Sequence, residues 1–411
     1  MHILYGILFA GYKTQQKITI YNLHLCDDVV KILSYFAKVG LKIKYFKDKT
    51  IFYPMQNFKN FNLNDLSFSR ASVCGLSSCY LLDQELELKN VGGCGFDTRP
   101  IGGHINILQS FKNNDQKIDC SIKNIPSVGM TIHAILGVFV SGKNMRLQNI
   151  ALEPAVIQVL ELLSQCGLKY NLDDRELEFS RNEEITNKIE LKIVSGQPHF
   201  VTILGVAVAK KENLIVTNYI PDKVIFPIIS RLFRIEKIGT SYKIFTDKFF
   251  GNNGDILVAD VFPAISTDIC PMLSVIYFLN NTQITVEEKV YSKRNAHILE
   301  LAKLGLKYKI EGNKYTIFPS KLSLIPTKLD CLDIRTGASL YICAIRFPQI
   351  ILQNIEQINR GYENLFDSGL VHFEIAKPEI KLPFKSSFLP LKENQFRENL
   401  DLKNFDGTWS L

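Results

Sequence analysis

The stretch ILGVFVSGKNMRLQNIALEPAVIQVLELLSQCGLKY, from Ile135 to Tyr170, contains the pattern that decides the fold. An apolar helical run stops at a polar turn, a short strand containing Leu147 follows, and an amphipathic helix begins after it. That helix is predicted to end at Gly167, because glycine adopts positive φ without a Cβ penalty. The strand LKY and the hairpin DDRELEFS come next. This order of elements predicts a mixed α/β unit.

The same order of features recurs in two other parts of the chain. They read ILFAGYKTQQKITIYNLHLCDDVVKILSYFAKVGLKI from Ile7 and VIYFLNNTQITVEEKVYSKRNAHILELAKLGLKY from Val275, with Gly40 and Gly305 in the place of Gly167. These glycines are separated by about twice the length that one unit needs, so weaker copies are expected between them. The expected copies cover Ser72 to Phe111, Val224 to Phe245 and Ser339 to Gly369.

Six such units, three per domain, predict an α/β (α+β) fold in which helices cover the sheets. The boundary is expected near Ile220 and Pro221. The first domain then covers residues 1–220 and the second covers residues 221–378, while residues 379–411 lose the pattern and form a C-terminal extension. An open solenoid is the alternative, and the irregular copies without distinct capping repeats disfavour it.

Composition excludes several classes of protein. A chain of 411 residues exceeds one typical core, and 46% hydrophobic against 22% charged residues excludes a predominantly disordered chain. The net charge of +7 is spread along the chain, which argues against a nucleic-acid platform with a concentrated basic face. Apolar runs end well short of the roughly 20 residues that span a bilayer, so no membrane insertion is expected.

The cysteines and the first residues indicate a cytoplasmic location. The chain has nine cysteines without CxxC pairs, which fits a reducing compartment and predicts no disulfide bonds. The first residues, MHILYGILFAGYK, lack the basic start and the cleavage site of a secretory signal.

Some short stretches are not required by the repeated pattern and are candidates for function. NVGGCGFDTRP places Cys94 in a glycine-rich loop with Arg99 near it, which suits a thiolate or proton donor, although a buried structural cysteine is the common alternative. SVGMT, from Ser127, could hold an oxyanion on backbone amides or be a plain helix N-cap. Asp268 in STDIC could be a general base or a cap.

Four arginines are predicted at or next to helix starts. A cation there opposes the helix dipole, so these arginines are hard to assign to stability and anion binding is the better explanation. Guanidinium groups grip phosphate or carboxylate through two parallel hydrogen bonds. The four are Arg70, Arg294, Arg335 and Arg360.

Together these stretches resemble the enolpyruvyl transferase family over about residues 3 to 375. The motifs are SRAS at Arg70, GGCGFDTRP at Cys94, SVGMT at Ser127, ALEPAVI at Glu153, PDKV at Asp222, STD at Asp268, SKRNAHILELAKLG at Arg294, LDIRTGASL at Arg335 and INRGYENL at Arg360. The GGC loop followed by Arg-Pro is typical of the branch that uses UDP-N-acetylglucosamine and not of the shikimate branch.

The resemblance implies two inside-out α/β domains, each of three βαββαβ units, which agrees with the six copies. It implies transfer of the enolpyruvyl group of phosphoenolpyruvate to the 3-hydroxyl of UDP-N-acetylglucosamine with release of phosphate, as in synthesis of peptidoglycan precursors. No metal or organic cofactor is implied, and we expect a cytoplasmic monomer with no nucleic-acid partner.

The resemblance also assigns roles to individual residues. Cys94 would protonate the methylene carbon of phosphoenolpyruvate or assist product release, and Asp268 would be the base at the attacking hydroxyl. Arg99 and Arg360 would bind the phosphate and carboxylate of phosphoenolpyruvate. The other implied binding residues are Arg70, Pro100, Ser127, Val128, Gly129, Arg294, Asp333 and Arg335.

The chain departs from the family pattern at several positions. The Lys-Asn pair that the family has before its first helix falls on Met1 and His2. On the acceptor side, Gly102 and Ile225 stand where the family has acidic residues. Three explanations stay open: an incorrect start codon or clipped chain, a paralogue with another acceptor, or an inactive relative that binds a UDP-sugar or a protein.

Overall fold

The structure is a computed structural model. It describes residues 1–46, 48–58, 61–84, 91–93, 101–180, 185, 188–194, 196–217, 222–363 and 365. Cys94, Arg99 and Pro100 lie outside the described residues, as does the predicted extension 379–411. The described chain forms two compact units that divide between Ile193 and Val194.

The first unit alternates helices with short strands. Its elements are α1 (His2–Thr14), β1 (Ile18–Tyr21), α2 (Asp27–Lys38), β2 (Ile43–Tyr45), β3 (Lys49–Phe52), two 3-10 helices (Leu63–Leu66 and Arg70–Gly75), α3 (Leu76–Leu81), α4 (Gly102–Asn113), β4 (Lys117–Asp119), β5 (Ser121–Ile122), β6 (Ile125–Pro126), α5 (Val128–Ser141), β7 (Arg146–Gln148), α6 (Pro154–Gln165), β8 (Lys169–Asp173), β9 (Glu176–Ser180) and β10 (Ile189–Lys192).

Helix α5 is at the centre of the first unit. Its sequence VGMTIHAILGVFVS is apolar on nearly every side, so it is buried all round and not along one stripe. Helices α1, α3, α4 and α6 and the second 3-10 helix pack against it. This unit also contains two four-stranded sheets, in the orders β10-β1-β3-β2 and β4-β7-β9-β8, and the two-stranded sheet β5-β6.

The second unit has the same alternation. Its elements are α7 (Gln197–Lys210), β11 (Leu214–Val216), α8 (Ile225–Leu232), β12 (Arg234–Ile238), β13 (Ser241–Phe245), β14 (Asp255–Ala259), α9 (Cys270–Leu279), β15 (Ile284–Glu288), α10 (Ala296–Ala302), β16 (Tyr308–Glu311), β17 (Lys314–Ile317), β18 (Thr327–Asp330), α11 (Ile334–Arg346), β19 (Ile350–Gln353) and α12 (Glu356–Asn359).

Helices α7, α9 and α11 pack against one another and form the centre of the second unit. A four-stranded sheet in the order β14-β15-β17-β16 has the same arrangement as the two sheets of the first unit. In each of the three, a parallel pair comes first and a β-hairpin completes the sheet. The second unit also contains the sheets β11-β13-β12 and β18-β19.

The structure confirms the features on which the repeat was recognised. Gly40, Gly167 and Gly305 follow α2, α6 and α10 with φ of +108°, +90° and +95°, and each precedes an antiparallel hairpin. A residue with a Cβ would be strained at these angles. The mixed α/β content is thereby confirmed, while the complete set of six units stays a prediction.

The division between the units falls earlier in the chain than the boundary predicted at residue 220. Helix α7 belongs to the second unit because its apolar face, which includes Val201 and Leu204, packs with α9 and α11. A helix cannot be assigned to one of two cores from its own composition, which explains the difference.

Two sequence expectations concern the cysteines and membrane-spanning helices. The eight cysteines that the structure describes are all free and buried. Within the same residues, no helix combines the length and the apolarity needed to cross a bilayer.

Candidate functional site

Asp268 is the centre of a charged cluster in the second unit. It lies in the turn before α9, where its backbone N–H donates to the Ser266 hydroxyl at 3.2 Å. Arg294 Nη1 donates to one oxygen of the Asp268 carboxylate, and Arg335 Nη2 donates to the other at 3.0 Å. The Asp268 side chain is 38% exposed, whereas that of Arg294 is buried at 8%.

The two arginines determine the charge of Asp268. Burial by itself would raise its pKa, but Arg335 and then Arg294 outweigh burial and hold the pKa well below its usual range. Burial likewise opposes the charge of Arg294, and Asp268 more than compensates, so the pKa of Arg294 is raised. The cluster is therefore ionised at neutral pH, with two cations sharing one anion.

Arg335 links this cluster to the C-terminal end of the described chain. It is the second residue of α11, and its Nη1 donates to the Tyr362 hydroxyl at 3.1 Å. The same hydroxyl lies 2.9 Å from Thr202 Oγ1, and the Tyr362 ring stacks on His199 at 5.9 Å between centroids. Tyr362 therefore fixes the guanidinium of Arg335 between α7 and the cluster.

Asp333 is the N-cap of α11. Its Oδ1 accepts hydrogen bonds from the backbone N–H of Arg335 at 2.8 Å and of Thr336 at 3.2 Å, and its Oδ2 accepts from the Thr336 hydroxyl at 2.5 Å. The side chain thereby satisfies donors that a helix start leaves without partners. Asp333 acts on the site by fixing the turn that carries Arg335.

Arg360 corrects one expectation. It follows the end of α12 and does not lie at a helix start, and its Nη1 donates to Gln357 Oε1 at 3.1 Å. A cation at the end of a helix is favoured by the dipole, so the argument from unfavourable placement does not apply to Arg360. Arg70 and Arg335 lie in the first turn of their helices, as predicted, and their role in anion binding stays a prediction.

Asp268 is not the cap of α9. The N-cap position of this helix is Ile269, and no side chain caps it. The carboxylate of Asp268 is used in the ion pairs and not in a cap, because Arg294 and Arg335 reach it from two other segments.

Glu288 is a second acid beside this cluster that the sequence reasoning missed. It ends β15, is 2% exposed, and its Oε2 accepts a hydrogen bond from the Thr267 hydroxyl at 2.7 Å. Burial raises its pKa to about 7, even though Thr267 and Arg294 favour the charged form. The alternation of ITVEE could have found it, because Ile284, Val286 and Glu288 share the inward face.

Ser127 is the N-cap of α5 in the first unit. Its hydroxyl accepts a hydrogen bond from the backbone N–H of Met130 at 3.4 Å, which confirms the cap interpretation of SVGMT. Val128 and Gly129 form the half-buried first turn. A Cβ added at Gly129 would lie 3.5 Å from His104 Nε2, so this turn lies directly against the His104 ring.

His104 and His133 form a buried pair beside that turn. His133 Nε2 accepts from the backbone N–H of Ser77 at 3.0 Å and lies 2.7 Å from Ser77 Oγ, and on this pattern we assign the proton of neutral His133 to Nδ1. The two Nδ1 atoms are 3.1 Å apart, which places the His104 proton on Nε2, on the side of Gly129. Burial and the charge of Arg70 lower the pKa of His104 to about 4.

Arg70 therefore belongs to the same region as Ser127, Val128 and Gly129. Its charge acts on His104 and on Cys74, whose thiol donates to the Gly129 carbonyl at 3.4 Å. His104 and His133 were missed by the sequence reasoning, although a histidine inside the apolar run TIHAIL is a usable signal. Among the described residues, no group of three or more His, Cys, Asp or Glu is arranged to hold a metal ion.

A family model matches most of the chain. The model is that of EPSP synthase (3-phosphoshikimate 1-carboxyvinyltransferase), and it covers residues 6–368. The matched range extends over most of both units and includes Asp268, Arg294, Arg335 and the other candidate site residues.

Curated relatives are similar over nearly the same range. A protein of Fervidobacterium nodosum named UDP-N-acetylglucosamine 1-carboxyvinyltransferase is 26% identical over 392 residues, covering 88% of this chain and 89% of the relative. A protein of the same name from Prochlorococcus marinus subsp. pastoris is 23% identical, covering 87% and 82% respectively.

Solved structures show the same fold. The enolpyruvyl transferase NikO from Streptomyces tendae superposes with a TM-score of 0.73 at 17% identity, covering 90% of this chain and 92% of NikO. EPSP synthase from Acinetobacter baumannii superposes with a TM-score of 0.60 at 10% identity, covering 87% and 91%.

Proposed function

The chain belongs to the EPSP synthase family of enolpyruvyl transferases, and we propose that it transfers the enolpyruvyl group of phosphoenolpyruvate to the 3-hydroxyl of UDP-N-acetylglucosamine, releasing phosphate. The names of the curated relatives support this acceptor. The observation that carries the proposal is the cluster in which Arg294 and Arg335 hold the carboxylate of Asp268. It combines a base candidate with two anion-binding groups in a partly open position.

In this proposal Asp268 accepts the proton of the attacking hydroxyl. Its low pKa makes it a weak base while both guanidinium groups hold it. A phosphate or carboxylate of the substrate would compete for those guanidinium groups, since each forms charge-assisted hydrogen bonds with such anions. Substrate binding would thereby release Asp268 and raise its basicity at the step that needs a base.

Most of the residues that we assign to phosphoenolpyruvate, the donor of the enolpyruvyl group, lie outside the described range. We propose that Cys94 delivers a proton to the methylene carbon of phosphoenolpyruvate or assists product release. Arg99 and Arg360 would bind its phosphate and carboxylate, and Pro100 would contribute to the same loop. The hydroxyl oxygen bonds to the central carbon of phosphoenolpyruvate as the methylene carbon gains its proton, and the phosphate then leaves with its bridging oxygen. One proton of the resulting methyl group is lost at that step, so that the double bond of the enolpyruvyl group forms again.

The acceptor is assigned to the first unit. Ser127, Val128 and Gly129 would hold the diphosphate of the nucleotide, with Arg70 supporting the same anionic substrate. The neutral His104, with its Nε2 proton on the side of Gly129, keeps a hydrogen-bond donor beside this turn. In the second unit, Asp333 and Arg294 would belong to the surface that faces the substrate.

The finer architecture is part of this proposal. Three sheets with one strand order and the buried central helices of each unit support two inside-out α/β domains of three βαββαβ units each. We propose a cytoplasmic enzyme that acts as a monomer without a metal or organic cofactor.

The test is phosphate release by the purified full chain with phosphoenolpyruvate and UDP-N-acetylglucosamine. We expect release that requires both substrates, with a large loss in Cys94→Ser, because serine is a far weaker acid than cysteine. Omitting either substrate serves as the matched control. Binding of the nucleotide sugar without any phosphate release would contradict the transferase proposal.

A second candidate is a transferase with another acceptor, or a UDP-sugar-binding relative without activity. The observation that favours it is the burial of Ile225, which is 0% exposed at the first position of α8 where the family has an acidic residue. Gly102 likewise replaces an acid at the start of α4. Phosphate release with a different nucleotide sugar or sugar phosphate, and none with UDP-N-acetylglucosamine, would support another acceptor.

A further inference from the structure

Glu288 occupies an unusual position for a carboxyl group. It is the last residue of β15, and its backbone N–H donates to the Asn313 carbonyl at 2.8 Å while its own carbonyl accepts from Asn313 Nδ2 at 3.1 Å. Its side chain points into the unit with Ile284 and Val286 and is 2% exposed. An ordinary strand would have an apolar residue there.

Only part of the hydrogen-bonding capacity of Glu288 is used. Oε2 accepts from the Thr267 hydroxyl at 2.7 Å, whereas Oε1 is buried without a hydrogen-bond partner in the described part of the chain. A buried polar atom without a partner costs stability, so its presence calls for an explanation other than packing. The hydrogen bond from Thr267 therefore joins Glu288 to the residue that precedes Asp268.

We propose that Glu288 is a positioning residue for Asp268, acting through the Thr267 hydroxyl and through competition for Arg294. This inference rests on the proposed role of Asp268 as the base. The bond to Thr267 fixes the turn Ser266 to Asp268, from which the carboxylate of Asp268 reaches both arginines. Ionised Glu288 attracts Arg294 and loosens its hold on Asp268, and protonated Glu288 removes that competition.

The groups around Glu288 make this coupling specific. In the turn before α9, the Thr267 hydroxyl donates to Glu288 and the charge of Asp268 acts on it. The charge of Arg294, in the segment before α10, also acts on Glu288, and Glu288 in turn acts on Cys270 in α9 and on Tyr315 in β17. Arg294 is the cation among these neighbours, and it is the group that Glu288 and Asp268 share.

A titration that does not depend on turnover tests the coupling. The full chain is labelled with aspartate carrying 13C at the side-chain carboxyl, and the Asp268 signal is identified by its loss in Asp268→Asn. We expect the Asp268 signal to move with an inflection near pH 7 in the unaltered chain. Glu288→Gln should abolish the inflection, and Thr267→Val should weaken it.

Glu287→Gln is the matched control, because Glu287 is the neighbour in β15 and pairs with Lys314 at 3.1 Å. This variant should leave the Asp268 inflection unchanged. An Asp268 signal without an inflection, or one that persists in Glu288→Gln, would overturn the inference. Absence of phosphate release by the unaltered chain would contradict the proposed function. The titration would still report whether Glu288 acts on Asp268, because it does not depend on turnover.

Kinetics provide the second measurement. Glu288→Gln and Thr267→Val are expected to lower kcat roughly tenfold or more, because small displacements of a reacting group are costly, with KM for phosphoenolpyruvate little changed. Thr267→Ser retains the hydroxyl and should retain most of the kcat. The inflection near neutral pH in the kcat profile should disappear in Glu288→Gln, and equal profiles for the two chains would overturn the inference.

Discussion

The two units bury their polar groups in opposite ways. In the first unit, His104 and His133 lie in a neutral chain of hydrogen bonds that ends on Ser77. In the second unit, Asp268 is held as an anion by Arg294 and Arg335. Burial disfavours the charged form in both places, so the difference comes from whether an opposite charge is within reach.

This comparison teaches where the structure can support acid–base chemistry. Within the described part of the chain, no carboxylate offsets the burial of the histidine pair, which serves as a fixed donor. Asp268 keeps its charge because two cations hold it, and Glu288 lies between the two cases, since the charge of Arg294 only partly offsets burial and its pKa is about 7. The two acid–base candidates of the charged cluster, Asp268 and Glu288, therefore both lie in the second unit.

The largest expected effect is that of Asp268→Asn. If Asp268 is the base, kcat for phosphate release falls by about 10²–10⁴, the usual contribution of general base catalysis. The change also leaves the buried Arg294 without its anion, which lowers the free energy of unfolding by about 3 kcal/mol. Phosphate release and denaturant unfolding measure the two effects.

Asp260→Asn is the control for that variant. Asp260 pairs with Lys289 at 3.2 Å, and both side chains are at least one-third exposed, so its loss should cost less than about 1 kcal/mol. Equal effects of the two substitutions on kcat would show that the Asp268 cluster has no special role.

The next effect concerns the pH dependence of stability at Glu288. Its pKa rises from an ordinary 4.5 to about 7 in the folded chain, so the folded state binds this proton more tightly than the unfolded state. The contribution to the free energy of unfolding is complete below pH 4.5 and falls by about 3 kcal/mol as the pH rises through 7. Unfolding of the unaltered chain and Glu288→Gln across this range measures the difference, and Glu287→Gln should show no such trend.

The histidine pair predicts the opposite trend. The pKa of His104 falls from 6.5 to about 4 in the folded chain, so the unfolded state binds this proton more tightly. The contribution is complete above pH 6.5 and is lost, by about 3 kcal/mol or less, as the pH falls through 4. The difference in unfolding free energy between the unaltered chain and His104→Gln should follow this curve.

His24→Gln is a suitable control for that variant, because His24 is exposed in the same unit. Curves of the same slope for Glu288→Gln and His104→Gln would break the comparison between the units. Opposite slopes would support it without reference to catalysis.

The sequence predicted those parts of the fold that depend on local backbone geometry. Gly40, Gly167 and Gly305 end helices before hairpins because the chain needs a positive φ there, and this need is visible in single residues. The cap interpretation of Ser127 rested on the same kind of local signal, and Ser127 is the N-cap of α5. The position of α7 in the second unit was not predictable, because it depends on which core accepts its apolar face.

The candidate site was predictable as a set of residues and not as a set of contacts. The sequence singled out Asp268, Arg294 and Arg335, but their pairing depends on three segments that meet in space. Arg360 was misplaced because a helix of four residues carries too weak a pattern for its ends to be assigned. Glu288 was missed because the alternation in β15 was used to find the strand and not to ask which residues it buries.

The smallest expected effects are those of the two helix caps, Ser127 in the first unit and Asp333 in the second. They compare a neutral cap with an acidic cap. Ser127 makes one long bond of 3.4 Å to the start of α5, so Ser127→Ala should lower the free energy of unfolding by about 1 kcal/mol or less. Asp333, 4% exposed, accepts three hydrogen bonds, so Asp333→Ala should cost about 2 kcal/mol. Denaturant unfolding measures both, and Ser127→Thr and Asp333→Asn retain an acceptor and should recover part of each loss. If Ser127→Ala costs as much as Asp333→Ala, the first turn of α5 is held by its cap more strongly than the bond length indicates, and the turn beside His104 is less dependent on packing than the structure suggests.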